Sequence, residues 1–511
     1  MIYLISHVLH LKLVAAVLLG MLPLSDFPAG PDTIPALQTT ALQTTTLQTT
    51  KPNILWICTD QQRWNTIHAL GNEYIRTPNL DRLVKEGTAF NYAHCAAPIC
   101  TPSRASFLTG MYSSTLHATK NGAAYWPETA PLVTKMLKDV GYDCGLAGKF
   151  HLSSAQANNP EKRPEDDGYR MFSYSHAPHQ GGDQNDYLVW LKSQGYEFKD
   201  LKNLPGEKQA ELDQTTWCTS EAIGFIEQER TKPWLMSLNV YAPHGPNDPP
   251  AHILERFDVE SLPGPVFRES DLEQKSVFND VMFQSKPRHP DSINVKLRQA
   301  KYWAEIELID ENIGRLLETL ERSGQLDNTL IIFTSDHGEM LGDHGLINKG
   351  CRFYEGLVRV PLIFWWPGQI KQDQQSDALV SLIDIAPTLL EIAGEKVPDH
   401  MQGRSLLPIL KGEADPDHFR EFVRCEFYST IGDAKGRKAS YGTMIRTKEY
   451  KLVNYHGHSS GELFDLKKDP HEFENRWDDP DYQKIKMELM KKSFDETVLA
   501  IDTGPEKIGR Y

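Results

Sequence analysis

The chain has 511 residues, of which 40% are hydrophobic and 24% are charged. This is the composition of a folded globular protein, and the length fits one large domain or two unequal ones. The formal net charge of -15 argues against nucleic acid as a partner, because nucleic acid is itself a polyanion.

The N-terminal segment, residues 1–30, has the pattern of a signal peptide. Lys12 precedes the apolar run 13–24, which is short for a bilayer span and is followed by the small residues Ala29 and Gly30. A membrane-anchoring helix is the alternative interpretation. We expect export to the periplasm or beyond the cell, with no stable membrane insertion.

Residues 31–51 are a predicted low-complexity linker. They contain the stretch ALQTTALQTTTLQTT, which repeats LQTT and is too polar to bury a core. We therefore expect the fold to begin near Pro52.

Continuous apolar runs predict strands that are buried on both faces. The run NILWICTD, residues 53–60, ends at Asp60, and TLIIFTSDHGE, residues 329–339, passes from an apolar run into Asp336 and His337. Residues 361–368, PLIFWWPG, predict a third strand of this kind. Ligands of parallel sheets bind at the carboxyl ends of the strands, so both acids lie where a site is expected.

Helical patterns alternate with these strands. Residues 297–324 carry apolar side chains at helical spacing and close at Gly324, and residues 129–151 predict a helix, a stop at Gly141 and a short strand that leads into Lys149. This alternation predicts an α/β fold with a large, mostly parallel sheet flanked by helices.

The C-terminal part of the chain has a different pattern. The runs REFVRCEF, ASYGTMIRT and EYKLVNYH are short, partly alternating and separated by turns, and residues 484–498 predict a closing helix. We expect an N-terminal catalytic domain over 52–405 and a smaller C-terminal subdomain with an antiparallel sheet over 406–511.

Seven cysteines are present, so at least one has no partner within the chain. Most are predicted to be buried free thiols, as Cys58 is within an apolar run. Cys100 differs, because Pro102 and Gly110 mark the start and the end of a short helix. A helix N-terminus attracts negative charge and acidifies a thiol, although a cysteine without a function at this position is an equally open interpretation.

Oxygen and nitrogen donors cluster in the sequence around the predicted strand ends. Two carboxylates and an imidazole, from Asp60, Asp336 and His337, suit a hard divalent cation. Further basic residues follow strands or turns and could hold a tetrahedral anion beside that cation. They are Lys149, His151, His244 and Lys349.

The stretch CTPSRASFLTG, residues 100–110, resembles the Cys-x-Pro-Ser-Arg signature of the type I, formylglycine-dependent sulfatases of the alkaline phosphatase superfamily. Companion motifs of that family occur in the same order from Asn53 to Asn475: CTDQQ, GKFHL, APHGPN, TSDHGEMLGDHGL, NKGCRFYEGLVRVPLI and ELFDLKKDPHEFEN. The resemblance implies an alkaline-phosphatase-like fold and a sulfuric ester hydrolase.

The resemblance also implies a mechanism. A formylglycine-generating enzyme would convert Cys100 to formylglycine (3-oxoalanine), whose hydrate attacks sulfur and later releases sulfate by regenerating the aldehyde. A cation, Ca²⁺ with Mn²⁺ or Mg²⁺ as alternatives, would bind the modified residue and orient it. The implied cation ligands are Asp60, Gln61, Cys100, Asp336 and His337.

The remaining roles are assigned by the same resemblance. Arg104 would support the hydrate and the metal site, and His151 would assist proton transfer. Lys149, His244 and Lys349 would bind sulfate oxygens, with His244 or Lys349 supplying the proton to the leaving group.

Two departures from the family pattern leave alternatives open. Gln61 stands where many members have a second aspartate, and His337 stands where many have asparagine. A histidine at the second position resembles the choline-sulfatases and phosphonate monoester hydrolases. A phosphonate monoesterase, a phosphodiesterase or a choline-sulfatase is therefore the alternative, and a non-catalytic anion-binding protein is a remote one. Export favours a sulfated polysaccharide or oligosaccharide over a small organic sulfate as the substrate.

Aromatic and basic residues near the motifs have two interpretations each. Trp64, Trp126 and Phe353 could stack on sugar rings, but packing is the more common role of such residues. Arg352 could bind a uronate or be a surface charge.

Overall fold

The computed structural model describes residues 51–156, 161–281, 286–429 and 439–501. The predicted signal peptide and all but the last residue of the predicted linker lie outside the described residues. Within the described parts, no helix is both long enough and apolar enough to cross a membrane.

The large sheet is built from eight strands in the order β4-β3-β5-β1-β6-β7-β2-β8. All pairs are parallel except those that β7 makes with β6 and β2. The strands are β1 (Asn53–Thr59), β2 (Thr88–His94), β3 (Asp143–Gly148), β4 (Met171–Tyr174), β5 (Trp234–Asn239), β6 (Thr329–Ser335), β7 (Leu362–Trp365) and β8 (Gln374–Ser381). The predicted α/β class with a mostly parallel sheet is confirmed.

Helices cover both faces of this sheet. The helices of the described residues are α1 (Pro78–Glu86), α2 (Cys100–Thr109), α3 (Val133–Asp139), α4 (Asp186–Ser193), α5 (Gly206–Leu212), α6 (Gln214–Ile226), α7 (Ala251–Leu254), α8 (Ser270–Gln274), α9 (Val295–Arg322), α10 (Glu355–Val358), α11 (Ile385–Ile392), α12 (Leu407–Lys411) and α13 (Gln483–Leu499). The prediction of a long helix that ends before Gly324 is confirmed by α9.

The core explains why the strand sequences are continuous rather than alternating. Every residue of β1 is buried, with Trp56 packed in the cluster on one face and Leu55 and Ile57 packed in the cluster on the other. The second cluster also contains Ile313 of α9, whereas the first contains Phe107 of α2. A strand that is covered on both faces has no side that faces solvent, so its residues need not alternate between apolar and polar.

The third predicted strand, β7, is buried as expected but runs antiparallel to β6, with Ile332 opposite Phe364. The carboxyl end of β7 therefore points away from the strand ends that carry Asp60 and Asp336, and β7 contributes no acidic residue to the site. Hydrophobic periodicity carries no information about strand direction, which is why the sequence could not distinguish this case.

A second, antiparallel sheet follows in the order β12-β11-β10-β9. Its strands are β9 (Phe422–Tyr428), β10 (Tyr441–Thr447), β11 (Tyr450–Tyr455) and β12 (Glu462–Asp465), and α13 follows them. The backbone N–H of Glu426 in β9 donates to the carbonyl of Ala96, 2.9 Å away, which connects this sheet to the loop before α2. The predicted C-terminal antiparallel sheet and closing helix are confirmed, while the domain limits remain predictions.

Gly148, the last residue of β3, is required by its surroundings. Its φ is +106°, and a Cβ built there would lie 2.0 Å from the carbonyl oxygen of Asn239. The close approach of the two strands also positions the backbone of Lys149, whose N–H donates to that same oxygen at 2.8 Å.

We expect Gly148→Ala to lower the melting temperature much more than Gly71→Ala. Gly71 has almost the same φ, +105°, but a Cβ added there would meet nothing within 4 Å, so both variants share the backbone strain and only Gly148→Ala adds a clash. The added cost is about 1–3 kcal/mol. Equal shifts for the two variants, measured by thermal unfolding, would show that the contact with Asn239 imposes no constraint.

Candidate active site

Two strand ends bring the predicted acids together. β1 and β6 are parallel neighbours with Thr59 opposite Ser335, so Asp60 and Asp336 leave the sheet side by side. The N–H of Asp336 donates to the carbonyl of Thr59 at 3.2 Å. Both carboxylates are fully buried, as the sequence pattern predicts for a site rather than a surface turn.

Cys100 is the first residue of α2, and Gly110 closes that helix with a φ of 70°. Both boundaries agree with the sequence prediction. The thiol points at the acid pair: Sγ lies 3.6 Å from Oδ1 of Asp60, 3.2 Å from Nε2 of His337 and 2.8 Å from Nζ of Lys349. The helix start therefore places a potential nucleophile among charged side chains.

Four donor atoms from Asp60, Cys100, Asp336 and His337 lie within 4.8 Å of one another, and all four residues are buried. Nδ1 of His337 contacts the carbonyl of Gly338 at 2.8 Å, which leaves Nε2 facing the cluster. A fixed second nitrogen is typical of metal-ligating histidines. This donor set fits a divalent cation, because carboxylate oxygens and an imidazole nitrogen are common ligands of such ions.

The thiol of Cys100 is electrostatically unlike the buried thiol of Cys58. Burial and Asp60 raise the pKa of Cys100, but Lys149, Lys349 and His337 outweigh them, and its pKa lies below the ordinary value. For Cys58, burial dominates and raises the pKa. All seven cysteines are buried, and Cys58, Cys95, Cys100, Cys144, Cys218 and Cys425 are free thiols, which confirms the prediction for most of them.

Asp60 is held in its charged form by two lysines. Burial would raise the pKa of this carboxyl, but Lys149 and Lys349 bring it well below its usual range. Nζ of Lys149 contacts Oδ2 of Asp60 and lies 3.6 Å from Sγ of Cys100. Both lysines thus lie close to the thiol, and an anion at Sγ would be near two positive charges.

Arg104 supports the cluster from within α2. Its Nε donates to Oδ2 of Asp336 at 2.9 Å, and its Nη1 donates to the carbonyl of Lys149 at 2.9 Å. Nη2 is buried and has no hydrogen-bond partner among the described residues. The guanidinium thus ties α2 to two strand ends.

Gln61 occupies a constrained position, with a φ of 70°. Its N–H donates to Oδ1 of Asp336 at 3.0 Å, and its Nε2 donates to Glu339. Its Oε1 is buried and has no hydrogen-bond partner within the described part of the chain. A free carbonyl oxygen beside the cluster suits a cation ligand, and that role remains a prediction.

His151 and His244 lie at the periphery of the cluster. His151 packs edge-on against His176 with ring centroids 4.3 Å apart, and burial lowers the pKa of both imidazoles well below the usual value. Nδ1 of His244 contacts the carbonyl of Gly245 at 2.7 Å, and burial likewise lowers the pKa of His244. Their proposed roles in proton transfer and sulfate binding stay predictions.

Two contacts of the site were missed in the sequence. His176 has no motif to mark it and meets His151 only because β3 and β4 are neighbours. Glu339 lies inside the quoted TSDHGEM stretch, so its position offered a signal, and its Oε1 accepts from the N–H of Leu341 and of Asn348. Glu339 thereby holds the residue that precedes Lys349.

The loop that carries Lys349 is fixed from its other end by the C-terminal sheet. Glu462 of β12 is buried, accepts hydrogen bonds from the hydroxyls of Tyr354 and Tyr455, and lies 3.7 Å from Arg352. Burial and this carboxylate explain why Arg352 is neither a surface charge nor exposed to a uronate. The C-terminal sheet therefore holds the segment that follows Lys349.

Glu462→Gln is expected to destabilise the protein by about 3–5 kcal/mol, because it leaves the buried charge of Arg352 without its carboxylate. The exposed residue Glu488 provides the control, since Glu488→Gln should change stability by less than about 0.5 kcal/mol. Thermal or chemical unfolding measures both. Similar stabilities for the two variants would contradict the positioning of the loop by this charge.

Packing explains the aromatic residues that the sequence left open. Trp126 and Phe353 are buried in the main core cluster, and the guanidinium of Arg359 lies 3.6 Å from the ring centre of Trp64. Because the rings of Trp126 and Phe353 are buried, the packing interpretation is confirmed for these two residues.

The sheet, the strand-end carboxylates and the thiol at a helix start define an alkaline-phosphatase-like ester hydrolase. Residues 52–395 match the family described as Sulfatase, and residues 342–498 match N-sulphoglucosamine sulphohydrolase, C-terminal. The chain belongs to the sulfatase family and is a sulfuric ester hydrolase.

Individual relatives agree with this assignment. The chain is 30% identical to an N-acetylglucosamine-6-O-sulfatase of Bacteroides thetaiotaomicron, over 86% of this chain and 85% of the relative. Among solved structures, the phosphonate monoester hydrolase of Agrobacterium radiobacter aligns with a TM-score of 0.76 and 26% identity, over 88% of this chain and 96% of that one. A protein solved in complex with its substrate D-glucosamine-2-N,6-O-disulfate aligns with a TM-score of 0.70 and 26% identity, over 90% and 100%.

Proposed function

We propose that this sulfatase is an exported enzyme that hydrolyses sulfate esters of carbohydrates through a formylglycine made from Cys100 and a divalent cation. The observation that carries the proposal is the position of Sγ, 3.2 Å from Nε2 of His337 and 2.8 Å from Nζ of Lys349, within the acid–histidine cluster. The carbohydrate substrate is supported by the two sugar-specific relatives, and export is supported by the sequence of residues 1–30.

The residues of this chain fit both a divalent cation and a formylglycine at position 100. Asp60, Asp336 and His337 would hold the cation, and the unpartnered Oε1 of Gln61 is a further oxygen beside them. When bound, the cation neutralises the sulfate group while the hydrated formylglycine supplies an oxygen nucleophile. Ca²⁺ is the cation that we expect, with Mn²⁺ or Mg²⁺ as alternatives.

The basic side chains would bind the sulfate and move the proton. Lys149 and Lys349 both lie close to Sγ and would offer charged donors to the sulfate oxygens. Lys349 is the closer of the two to Sγ, and either Lys349 or His244 would donate the proton to the leaving oxygen. Arg104 keeps the carboxylate of Asp336 oriented.

The test is turnover of 4-nitrophenyl sulfate by full-length protein that has been co-expressed with a formylglycine-generating enzyme. We expect hydrolysis that requires both co-expression and a divalent cation. Hydrolysis that survives both omissions would contradict the proposed mechanism, and no hydrolysis under any of these conditions would contradict the proposed function.

A phosphonate monoesterase or phosphodiesterase is the second candidate. Gln61 and His337 replace residues that many sulfatases have, and a phosphonate monoester hydrolase is among the structural relatives. Sulfate monoesters and phosphate diesters carry the same single charge, so the lysine pair accommodates either. The second-order rate constant for an aryl sulfate, compared with those for an aryl phosphonate monoester and an aryl phosphodiester, distinguishes the two functions.

A further inference from the structure

A cleft of about 490 Å³ opens beside the acid–histidine cluster. Its lining includes Gln61 and His244, which are assigned to the cation and to the sulfate, and Asn348, which precedes Lys349. Another wall is formed by the start of α9. The cleft is several times larger than a sulfate group, so it has room for the part of a substrate that lies beyond the scissile ester.

The α9 wall is a single face of the helix. Asn294, Leu297, Arg298 and Lys301 follow one another at intervals of three, one and three residues, which places their side chains on one side of the first two turns. Leu297 is 42% exposed, and Arg298 is exposed as well. The positive end of the dipole of this 28-residue helix lies at the same place.

The cations of this face are weakly neutralised by protein groups. Nε of Arg298 donates to the carbonyl of Ile293 at 2.9 Å, and among the described residues no carboxylate forms an ion pair with its guanidinium. Nζ of Lys301 lies 3.6 Å from Oδ1 of Asp248, whose side chain is 63% exposed. Such an open pair is easily replaced by a stronger anion.

The other carboxylate of the cleft is already committed to protein donors. Oε2 of Glu339 accepts from Gln61, and its Oε1 accepts from the backbone N–H groups of Leu341 and Asn348. Among the charged side chains that line the cleft, Arg298 and Lys301 are therefore the ones available to an anionic ligand, and the exposed apolar side chain of Leu297 lies on the same helix face.

We propose that this cleft binds a second anionic group of the substrate, a sulfate or a carboxylate on the sugar that carries the scissile ester or on its neighbour. Arg298 and Lys301 contact the oxygens of that group, and Leu297 packs against the sugar ring. The proposal rests on the proposed function and narrows its substrate class to multiply anionic saccharides.

The experiment measures competition with 4-nitrophenyl sulfate hydrolysis by the matured full-length enzyme. The competitors are glucosamine-2-N,6-O-disulfate, a monosulfated disaccharide that bears a uronate, and N-acetylglucosamine-6-O-sulfate as the singly charged reference. The double variant Arg298→Gln/Lys301→Gln removes both cations. Arg322→Gln, at the far end of α9, is the matched control for a lost charge on the same helix.

For the wild type we expect one of the doubly charged competitors to bind more tightly than the reference. In the double variant, the inhibition constant of that competitor, divided by the Michaelis constant for the aryl sulfate, should rise about tenfold or more. The control should leave this ratio unchanged. If this ratio rises for the disulfated sugar, the cleft binds a sulfate. If it rises for the uronate-bearing sugar, the cleft binds a carboxylate.

An unchanged ratio for both competitors in the double variant would overturn the subsite, as would a wild type that binds the reference as well as the doubly charged sugars. Neither result affects the proposed function, which fails only if the wild type does not hydrolyse the aryl sulfate.

Discussion

Cys100→Ala is expected to lower kcat/KM for aryl sulfate by at least about 10³-fold, as is typical when a catalytic nucleophile is removed. The substitution removes the precursor of the proposed nucleophile from a site where the sulfur contacts Asp60, His337 and Lys349. Steady-state kinetics of the variant and the wild type, both co-expressed with the converting enzyme, measure the loss.

Cys144→Ala is the matched control for Cys100→Ala. Cys144 is equally buried, but it lies near the amino end of β3, whereas the site lies at the carboxyl ends of the strands. Among the hydrogen-bonding groups of the described chain, its Sγ contacts only the carbonyl of Thr134 at 3.6 Å. Its loss should change kcat/KM by less than a few-fold. Activity of Cys100→Ala within tenfold of the wild type would mean that another group attacks the ester.

Asp336→Asn should cause the second large loss, because this carboxylate is a proposed cation ligand and also pairs with Arg104. Oδ2 accepts from Nε of Arg104, and Oδ1 accepts from the N–H groups of Gln61 and His337. An amide cannot accept all three and would leave a buried guanidinium unpaired. We expect kcat to fall by at least about 10²-fold and bound metal to be lost.

Metal content and chelator response measure this second effect. A cation that binds only the folded state adds about 2.7 kcal/mol of stability at a concentration one hundred times its dissociation constant. The wild type should therefore melt at a lower temperature after chelation, and Asp336→Asn should not respond. Asp399→Asn, at an exposed position, is the control. A variant that retains stoichiometric metal would refute the assignment of Asp336 as a ligand.

The elements of the site were predictable where local chemistry determines them. A continuous apolar run predicted β1 and β6, and the polar residues that stop each run predicted Asp60 and Asp336 at the sheet edge. Pro102 and Gly110 likewise marked both ends of α2. These signals are local, because burial on both faces and helix termini each leave a direct trace in the sequence.

The rest of the site depends on contacts between distant parts of the chain. The direction of β7, the pairing of His151 with His176, and the support of the Lys349 loop by Glu462 all arise from tertiary packing. Arg352 illustrates the limit: the sequence allowed a ligand-binding or a surface role, and the fold places it against a buried carboxylate from a strand 110 residues later. No periodicity encodes such a partner.

The proposed function requires Cys100 to be oxidised to formylglycine beside a bound cation. Mass spectrometry of the peptide that contains position 100, from enzyme with measured turnover, tests this conversion. We expect a carbonyl in place of the thiol, in a fraction that rises in proportion to the specific activity. Full activity in a preparation whose peptide carries only the unmodified thiol would contradict the account.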